Sequence, residues 1–204
     1  VQHSVKKRLI HYIIRQIQKM YGQEPLENEE YPAIINQRHF KRISGLINEN
    51  KVIYGGKTDS TTLRIEPTVM DGITWDDAVM KEEIFGPVLP IMSYYDLREA
   101  AAAIEAQSSP LALYLFTRDK KRESYILEKL SYGGGCINDT VVHLATPYLP
   151  FGGVGQSGMG KYHGKASFDT FTHEKSILKK SVLVDIPFRY PPFRDHLNLI
   201  KKFM

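Results

Sequence analysis

The sequence predicts a layered α/β domain with a largely parallel sheet. Its 204 residues are 42% apolar, 11% aromatic and 25% charged, which is the composition of an ordinary globular domain. Apolar runs with helical spacing alternate along the chain with short β-rich runs. Helices of about 10–15 residues between strands are typical of a parallel sheet, because parallel neighbours need a crossover connection.

The first predicted element is an amphipathic helix. Its apolar residues recur every four positions and are Val5, Leu9, Ile13, Ile17 and Tyr21. Gly22 and Pro25 end this helix. A second helix is predicted around residues 40–47, and the run 51–54 predicts a short strand.

The middle of the chain predicts strands followed by a capped helix. Residues 64–70 and 87–95 are β-rich. Asp96 is a suitable N-cap, and Glu99 lies three residues further on, which is the spacing of a capping box. The alanine-rich run 97–104 is a strong helix former.

Three further elements complete the predicted α/β alternation. Residues 111–117 predict a buried strand, and a helix is expected over about 119–130. The glycines at 133–135 then open a strand that begins at Cys136 and continues towards His143.

A glycine-rich segment follows. It holds six of the fifteen glycines, namely Gly152, Gly153, Gly155, Gly158, Gly160 and Gly164. Gly153–Gly158 matches G-x-G-x-x-G, and Gly155–Lys161 matches G-x-x-x-x-G-K. A dinucleotide loop must leave the first strand of a βαβ unit directly, and a P-loop needs Ser or Thr where Tyr162 stands. We interpret the segment as tight turns with close backbone approach, and phosphate binding is the alternative.

Charge is concentrated in the tail. The chain carries 27 basic and 23 acidic residues, a net charge of +4, but residues 1–174 carry only −1. A nucleic-acid-binding domain would show a basic stripe on its folded body. A nucleic-acid partner is therefore not expected, and that alternative rests only on the tail and on the basic face of the first helix.

The sequence gives indications of the compartment. No stretch approaches the roughly 18 apolar residues of a membrane span, and the first thirty residues lack the apolar core of a signal peptide. The single cysteine cannot form an internal disulfide, which suits a reducing compartment. We expect a cytoplasmic protein. The opening Val1 reads as the end of a strand, so we also expect a piece of a longer protein.

Metal or thiol chemistry is not expected within these residues. The seven histidines show no metal-ligand spacing, and no C-x-x-C occurs. Cys136 has no His or Lys within four residues, so a buried structural thiol is favoured over a nucleophile. The pair Glu82-Glu83 is more informative, because it lies beside Phe85 and a Gly-Pro turn. A carboxylate can grip a ribose diol while an aromatic ring packs on a flat heterocycle.

Three motifs resemble the aldehyde dehydrogenase superfamily. They are EEIFGPVLPI at 82–91, PLALYLF at 110–116 and LPFGGVGQSGMGKYHG at 149–164. The ending Tyr162-His163-Gly164, followed by SFDTFTH at 167–173, is similar to the class 3 branch that includes fatty aldehyde dehydrogenases, and so is the tract 31–46 with RHF at 38–40.

The resemblance implies a three-layer αβα catalytic-domain fold and oxidation of alkyl or aryl aldehydes to carboxylic acids. The family uses a cysteine thiolate, NAD or NADP, and a glutamate-activated water. Its nucleophile lies in a G-Q-x-C stretch that would precede Val1, and its base glutamate and cofactor domain are also expected upstream. No catalytic residue is therefore expected in this chain, which should be inactive alone.

The resemblance assigns site residues. Glu83 would hold the nicotinamide ribose, Phe85 would flank the nicotinamide, and His39 would lie on the adenosine-ribose side. The aldehyde tunnel would be lined by Val141, Leu144, Ala145, Phe151 and His163. In the class 3 branch an arginine follows the Tyr31 position, where this chain has Pro32-Ala33.

The resemblance also suggests an organisation. We expect catalytic α/β residues at 1–131, an oligomerisation-type strand segment at 132–148, the glycine-rich end of the catalytic domain at 149–182 and a docking tail at 183–204. Strand residues 135–145 would join a partner subunit in a homodimer. The alternative function is a stand-alone, non-catalytic module for dimerisation or nucleotide binding.

Overall fold

Helices and short strands alternate in the structure, a computed structural model that describes residues 1–185, 190–191 and 196–202. The helices are α1 (His3–Tyr21), α2 (Gln37–Ser44), α3 (Leu97–Glu105), α4 (Lys120–Lys129), α5 (Gly164–Phe171) and α6 (Leu197–Ile200). The strands are β1 (Val52–Tyr54), β2 (Thr58–Asp59), β3 (Arg64–Ile65), β4 (Thr68–Met70), β5 (Val88–Pro90), β6 (Ala112–Leu115) and β7 (Gly134–Ile137). The predicted α/β class is confirmed.

Three small sheets make up the β-structure of the described residues. The first has the order β1-β4-β5, with β4 antiparallel to β1 and parallel to β5. The second is the antiparallel pair of β2 and β3, and the third is the parallel pair of β6 and β7. The parallel pairing that the alternation predicts is thus found in two of the pairs.

The two helices with the clearest sequence signals form as expected. α1 ends at Gly22, whose positive φ of 82° and N–H bond to the Gln18 carbonyl close the helix. α3 begins after Asp96, whose carboxylate accepts the N–H of Arg98 at 2.7 Å. The Asp96 bond is to Arg98 rather than to Glu99, so the capping-box partner differs from the prediction.

Two predictions about strands are wrong. The strand predicted over 111–117 is half-buried rather than buried. Among the described residues β6 pairs with β7 alone, and Tyr114 is 37% exposed. The strand expected over 135–145 ends at Ile137, because Asn138 and Val141 have φ of 58° and 65°, which extended backbone does not allow. A short 3₁₀ turn occupies Val142–Leu144 instead.

The core consists of two clusters. The larger cluster joins α2 to the first sheet and to β3, and contains Phe40, Ile43, Ile65, Met70, Ile73, Val79 and Val88. The smaller cluster joins α3 to α4 through Ala101, Ile126 and Leu130. The candidate site described below lies between elements that these two clusters hold in place.

Membrane-spanning helices and the C-terminal tail can be described only for part of the chain. No helix among the described residues is long and apolar enough to cross a membrane. The expected docking tail at 183–204 lies partly outside the described residues, since 186–189, 192–195 and 203–204 are not among them.

Candidate functional site

The loop that carries Glu83 and Phe85 runs between two buried valines. Val79 is 2% exposed and Val88 is 6% exposed, whereas Glu82, Glu83 and Phe85 between them are exposed. Ile84, between the exposed residues, is partly buried and packs against the same core cluster as Val79 and Val88. This arrangement presents the two carboxylates and the Phe85 ring to the outside.

Ion pairing fixes the base of this loop. The Asp77 carboxylate accepts hydrogen bonds from the Lys51 ammonium at 2.7 Å and from the Thr74 N–H at 2.7 Å. These hydrogen bonds, led by that of Lys51, lower the pKa of Asp77 to about 2. The loop therefore starts from a firmly held residue on the β1 side of the sheet.

Glu83 has the properties of a free ligand group. Its side chain is exposed, and none of the described residues donates a hydrogen bond to its carboxylate. The ring of Phe85 is 76% exposed. A carboxylate with unused acceptor oxygens and a neighbouring open aromatic face can bind a diol and a planar ring together.

Glu83 also lies at a cleft of about 830 Å³. Side chains from β6, from the turn after β7 and from the glycine-rich segment contribute to its wall, among them Tyr114, His143, Leu144, Phe151 and Ser157. The wall is mixed, since polar side chains such as Lys81 and Gln156 lie beside the apolar ones. Concave sites where a few polar groups fix the ligand are typical of small-molecule binding. The cleft therefore gathers Glu83 with two predicted tunnel residues, Leu144 and Phe151.

His143 is a member of this cleft that sequence reasoning missed. It is 8% exposed, and its Nδ1 lies 3.6 Å from the Cys136 sulfur. Its ring contacts Tyr114 and Phe151 at centroid distances of 5.8 Å each, and its Nε2 is buried without a hydrogen-bond partner. Cys136 itself is half-buried rather than buried. The only signal in the sequence is the seven-residue separation, which no local pattern marks as a contact.

The other predicted residues lie outside the lining of this cleft. His163 stacks on Phe151 with ring centroids 6.4 Å apart, so it stands next to the lining. Val141 is 56% exposed and Ala145 is exposed. Phe85 and His39 are also outside the lining, and His39 lies in the first turn of α2, where its N–H bonds the Asn36 side chain.

Three of these residues have strained backbones. Phe85, Val141 and His163 have φ of 50°, 65° and 83°, in the left-handed region that non-glycine residues rarely adopt. Such conformations cost about 1–3 kcal/mol each and persist where the surroundings enforce them, often at functional sites. The strain supports a functional role for these positions.

The glycine-rich segment packs tightly, as predicted. A Cβ on Gly133 would collide with the carbonyl oxygen of Gly152, and one on Gly153 would collide with that of Ser157. The G-x-G-x-x-G stretch forms a 3₁₀ turn at Gly155–Ser157 rather than the start of a helix. The stretch therefore forms close-packed backbone directly after Phe151 in the chain.

Metal ligands do not cluster in the part of the chain that the structure describes. No group of three or more His, Cys, Asp and Glu side chains there is arranged to hold a metal ion.

Comparisons with known proteins identify the family. The sequence pattern of the aldehyde dehydrogenase family matches residues 1–177. The chain is 46% identical over 205 residues to 4,4'-diaponeurosporen-aldehyde dehydrogenase of Staphylococcus aureus, covering 100% of this chain and 45% of that protein. It is 42% identical over 191 residues to the dimeric NADP-preferring aldehyde dehydrogenase of Rattus norvegicus, covering 93% of this chain and 42% of the relative.

A solved structure shows the same fold. The substrate-bound Staphylococcus aureus AldH superposes with a TM-score of 0.92 at 46% identity, covering 100% of this chain and 45% of that one. The chain thus spans less than half the length of these relatives. With the motifs at 82–91, 110–116 and 149–164 falling on the loop, the strand and the glycine-rich segment that build the cleft, the chain belongs to the aldehyde dehydrogenase family.

Proposed function

We propose that this chain is the C-terminal catalytic-domain portion of an NAD(P)-dependent aldehyde dehydrogenase of the class 3-like branch. The observation that carries the proposal is the exposed, unpaired Glu83 carboxylate at a cleft that Leu144 and Phe151 also line. The parent enzyme would oxidise alkyl or aryl aldehydes to carboxylic acids. The names of the relatives, which include an NADP-preferring enzyme, support a pyridine nucleotide.

Glu83 and Phe85 would hold the nicotinamide half of the cofactor. The Glu83 carboxylate has free acceptor oxygens for the ribose diol, and the exposed Phe85 ring offers a face to the heterocycle. His39 would contribute on the adenosine-ribose side. When bound, the cofactor would accept the hydride that leaves the aldehyde carbon.

The apolar part of the wall would select the aldehyde. Leu144 and Phe151 line the cleft, and His163 stacks on Phe151. Val141 and Ala145 would complete the tunnel. Each buried methylene of an alkyl chain is worth about 0.8 kcal/mol, so contact with Leu144 and Phe151 would favour hydrophobic aldehydes over small polar ones.

The thiolate nucleophile and the base glutamate would lie outside this chain. The family resemblance places the nucleophile in a G-Q-x-C stretch, which does not occur in the sequence. Cys136, whose sulfur contacts buried His143, is assigned no catalytic role. The 204 residues alone would accordingly be inactive.

Organisation and location are part of the same proposal. The expected boundaries at 131, 148 and 182 are retained, with the strand contribution to a homodimer interface restricted to β7. The word "dimeric" in the name of the rat relative supports a homodimer. A single cysteine supports a cytoplasmic location.

The first experiment is the intact mass of the protein purified from its source. A mass of about 50 kDa is expected, because this 23.3 kDa chain covers 45% of the Staphylococcus relative. A mass near 23 kDa would favour the alternative, a non-catalytic dimerisation or nucleotide-binding module.

The second experiment tests Glu83. In the full-length enzyme, Glu83→Gln should weaken NAD⁺ binding at least tenfold, because a charge-assisted hydrogen bond becomes a neutral one. Glu30→Gln removes an equally exposed carboxylate far along the sequence and should leave the affinity unchanged. Unchanged NAD⁺ affinity in the Glu83 variant would refute the assignment.

A further inference from the structure

Arg42 of α2 reaches across to the Glu83 loop and binds three consecutive residues. Its Nη2 donates to the Ile84 carbonyl oxygen at 2.6 Å. Its Nη1 donates to the Glu82 carboxylate at 2.8 Å and to the Glu83 carbonyl oxygen at 3.4 Å. One guanidinium therefore binds the Glu82 side chain and the backbone carbonyls of the two residues that directly precede Phe85.

The Arg42 hydrogen bonds add to an apolar anchor, because Ile84 packs against the core cluster while its neighbours do not. Glu82, Glu83 and Phe85 are exposed, so their side chains bury little apolar surface. Phe85 also has a positive φ of 50°, which must be enforced by its surroundings. Hydrogen bonds to the carbonyls of the two preceding residues restrict the backbone rotations that would relax this conformation.

The next residue of α2 provides a second contact of another kind. Ile43 is fully buried, and Gly86 packs so closely on it that a Cβ would lie 2.8 Å from Ile43 Cδ1. Arg42 thus hydrogen-bonds the two residues before Phe85, and Ile43 packs against Gly86 directly after it. The strained residue is held from both sides by one helix.

We propose that Arg42 is a positioning residue for the nicotinamide half of the cofactor, acting through the backbone of residues 83–85. This inference rests on the proposed function of Glu83 and Phe85. A planar guanidinium suits the task because its fork can serve several oxygens in a fixed geometry, which a lysine ammonium cannot do.

The test is cofactor binding by the full-length enzyme, measured by calorimetry with NAD⁺ and separately with AMP, which lacks the nicotinamide ribose. Arg42→Ala should weaken NAD⁺ binding about tenfold or more and leave AMP binding within twofold. The KM for NAD⁺ of this variant should rise as its NAD⁺ affinity falls, while kcat at saturating NAD⁺ changes less. Lys41→Ala, which removes a neighbouring exposed cation of α2, is the matched control and should change neither affinity.

Arg42→Lys keeps the charge beside Glu82 and the aliphatic stem but removes the planar guanidinium. It therefore tests the multiple hydrogen bonds of that group with the least risk to folding. An intermediate loss of NAD⁺ affinity is expected. Equal losses of NAD⁺ and AMP affinity would indicate a merely structural role and overturn the proposal. Unchanged NAD⁺ affinity in both Arg42 variants, with a clear loss in Glu83→Gln, would overturn the positioning role alone. Unchanged affinity in the Glu83 variant would remove the proposed function as well.

Discussion

The Cys136 sulfur lies 3.6 Å from Nδ1 of His143, although seven residues separate them. The chain turns back after β7, so that the His143 ring also lies over Gly134, where a Cβ would come within 3.2 Å of Cδ2. His143 is thereby fixed against β7 and presented between Tyr114 and Phe151. The thiol is part of the support of the cleft wall.

This relationship predicts a mild phenotype for Cys136→Ser. Serine is close to cysteine in size and polarity, and the proposed nucleophile lies elsewhere, so aldehyde oxidation by the full-length enzyme should stay within about threefold. Steady-state kinetics would check this. Loss of all activity, with a native unfolding midpoint, would instead make Cys136 the nucleophile.

Gly86→Ala should destabilise the protein by about 1–3 kcal/mol, because the new Cβ overpacks the core at Ile43. The distances to Ile43 Cδ1 and Cγ2 would be 2.8 Å and 2.9 Å. Urea unfolding gives the free-energy change. Gly86 does not have a positive φ, so the cost comes from packing rather than from the backbone.

A double-mutant cycle separates this packing term from other effects. Ile43→Val removes Cδ1, one of the two atoms in the close contact. The free energy of unfolding lost by the double variant should be smaller than the sum of the two single losses by at least about 0.5 kcal/mol. Strict additivity would mean that Ile43 is not what excludes a side chain at Gly86.

Local signals in the sequence predict what local interactions decide. The four-residue spacing and Gly22 suffice for α1, and Asp96 suffices for the start of α3, because caps and helix faces involve near neighbours. Glu83 is likewise exposed, as its charged setting before the Gly-Pro turn indicates.

Tertiary contacts decide the features of the fold and the site that local signals do not predict. The end of β7 depends on the positive φ of Asn138 and Val141, which side-chain patterning does not reveal. The Cys136–His143 contact and the reach of Arg42 to Ile84 depend on how distant elements are placed. The family resemblance named Leu144 and Phe151, but only the fold shows that they share a cleft with Glu83.

The ion pair at the base of the Glu83 loop predicts a specific pH dependence of stability. Hydrogen bonds from Lys51 and Thr74 lower the pKa of Asp77 from 3.8 to about 2. Because the folded state favours the ionised carboxylate, Asp77 contributes its stabilisation fully above about pH 4. That contribution is lost as the pH falls through about 2, where the folded state also takes up the proton.

Asp77→Asn should therefore lower the urea midpoint by a constant amount from pH 7 down to about pH 4.5. The difference from the unsubstituted protein should then narrow as the pH falls further, because both proteins become neutral at this position. Asp76→Asn is the matched control. Its carboxylate is 99% exposed and 3.5 Å from Lys81, a geometry in which a surface ion pair contributes little, so its midpoint should follow that of the unsubstituted protein. If the difference in urea midpoint between Asp77→Asn and the unsubstituted protein stays constant down to pH 2.5, Lys51 does not act by stabilising the ionised carboxylate.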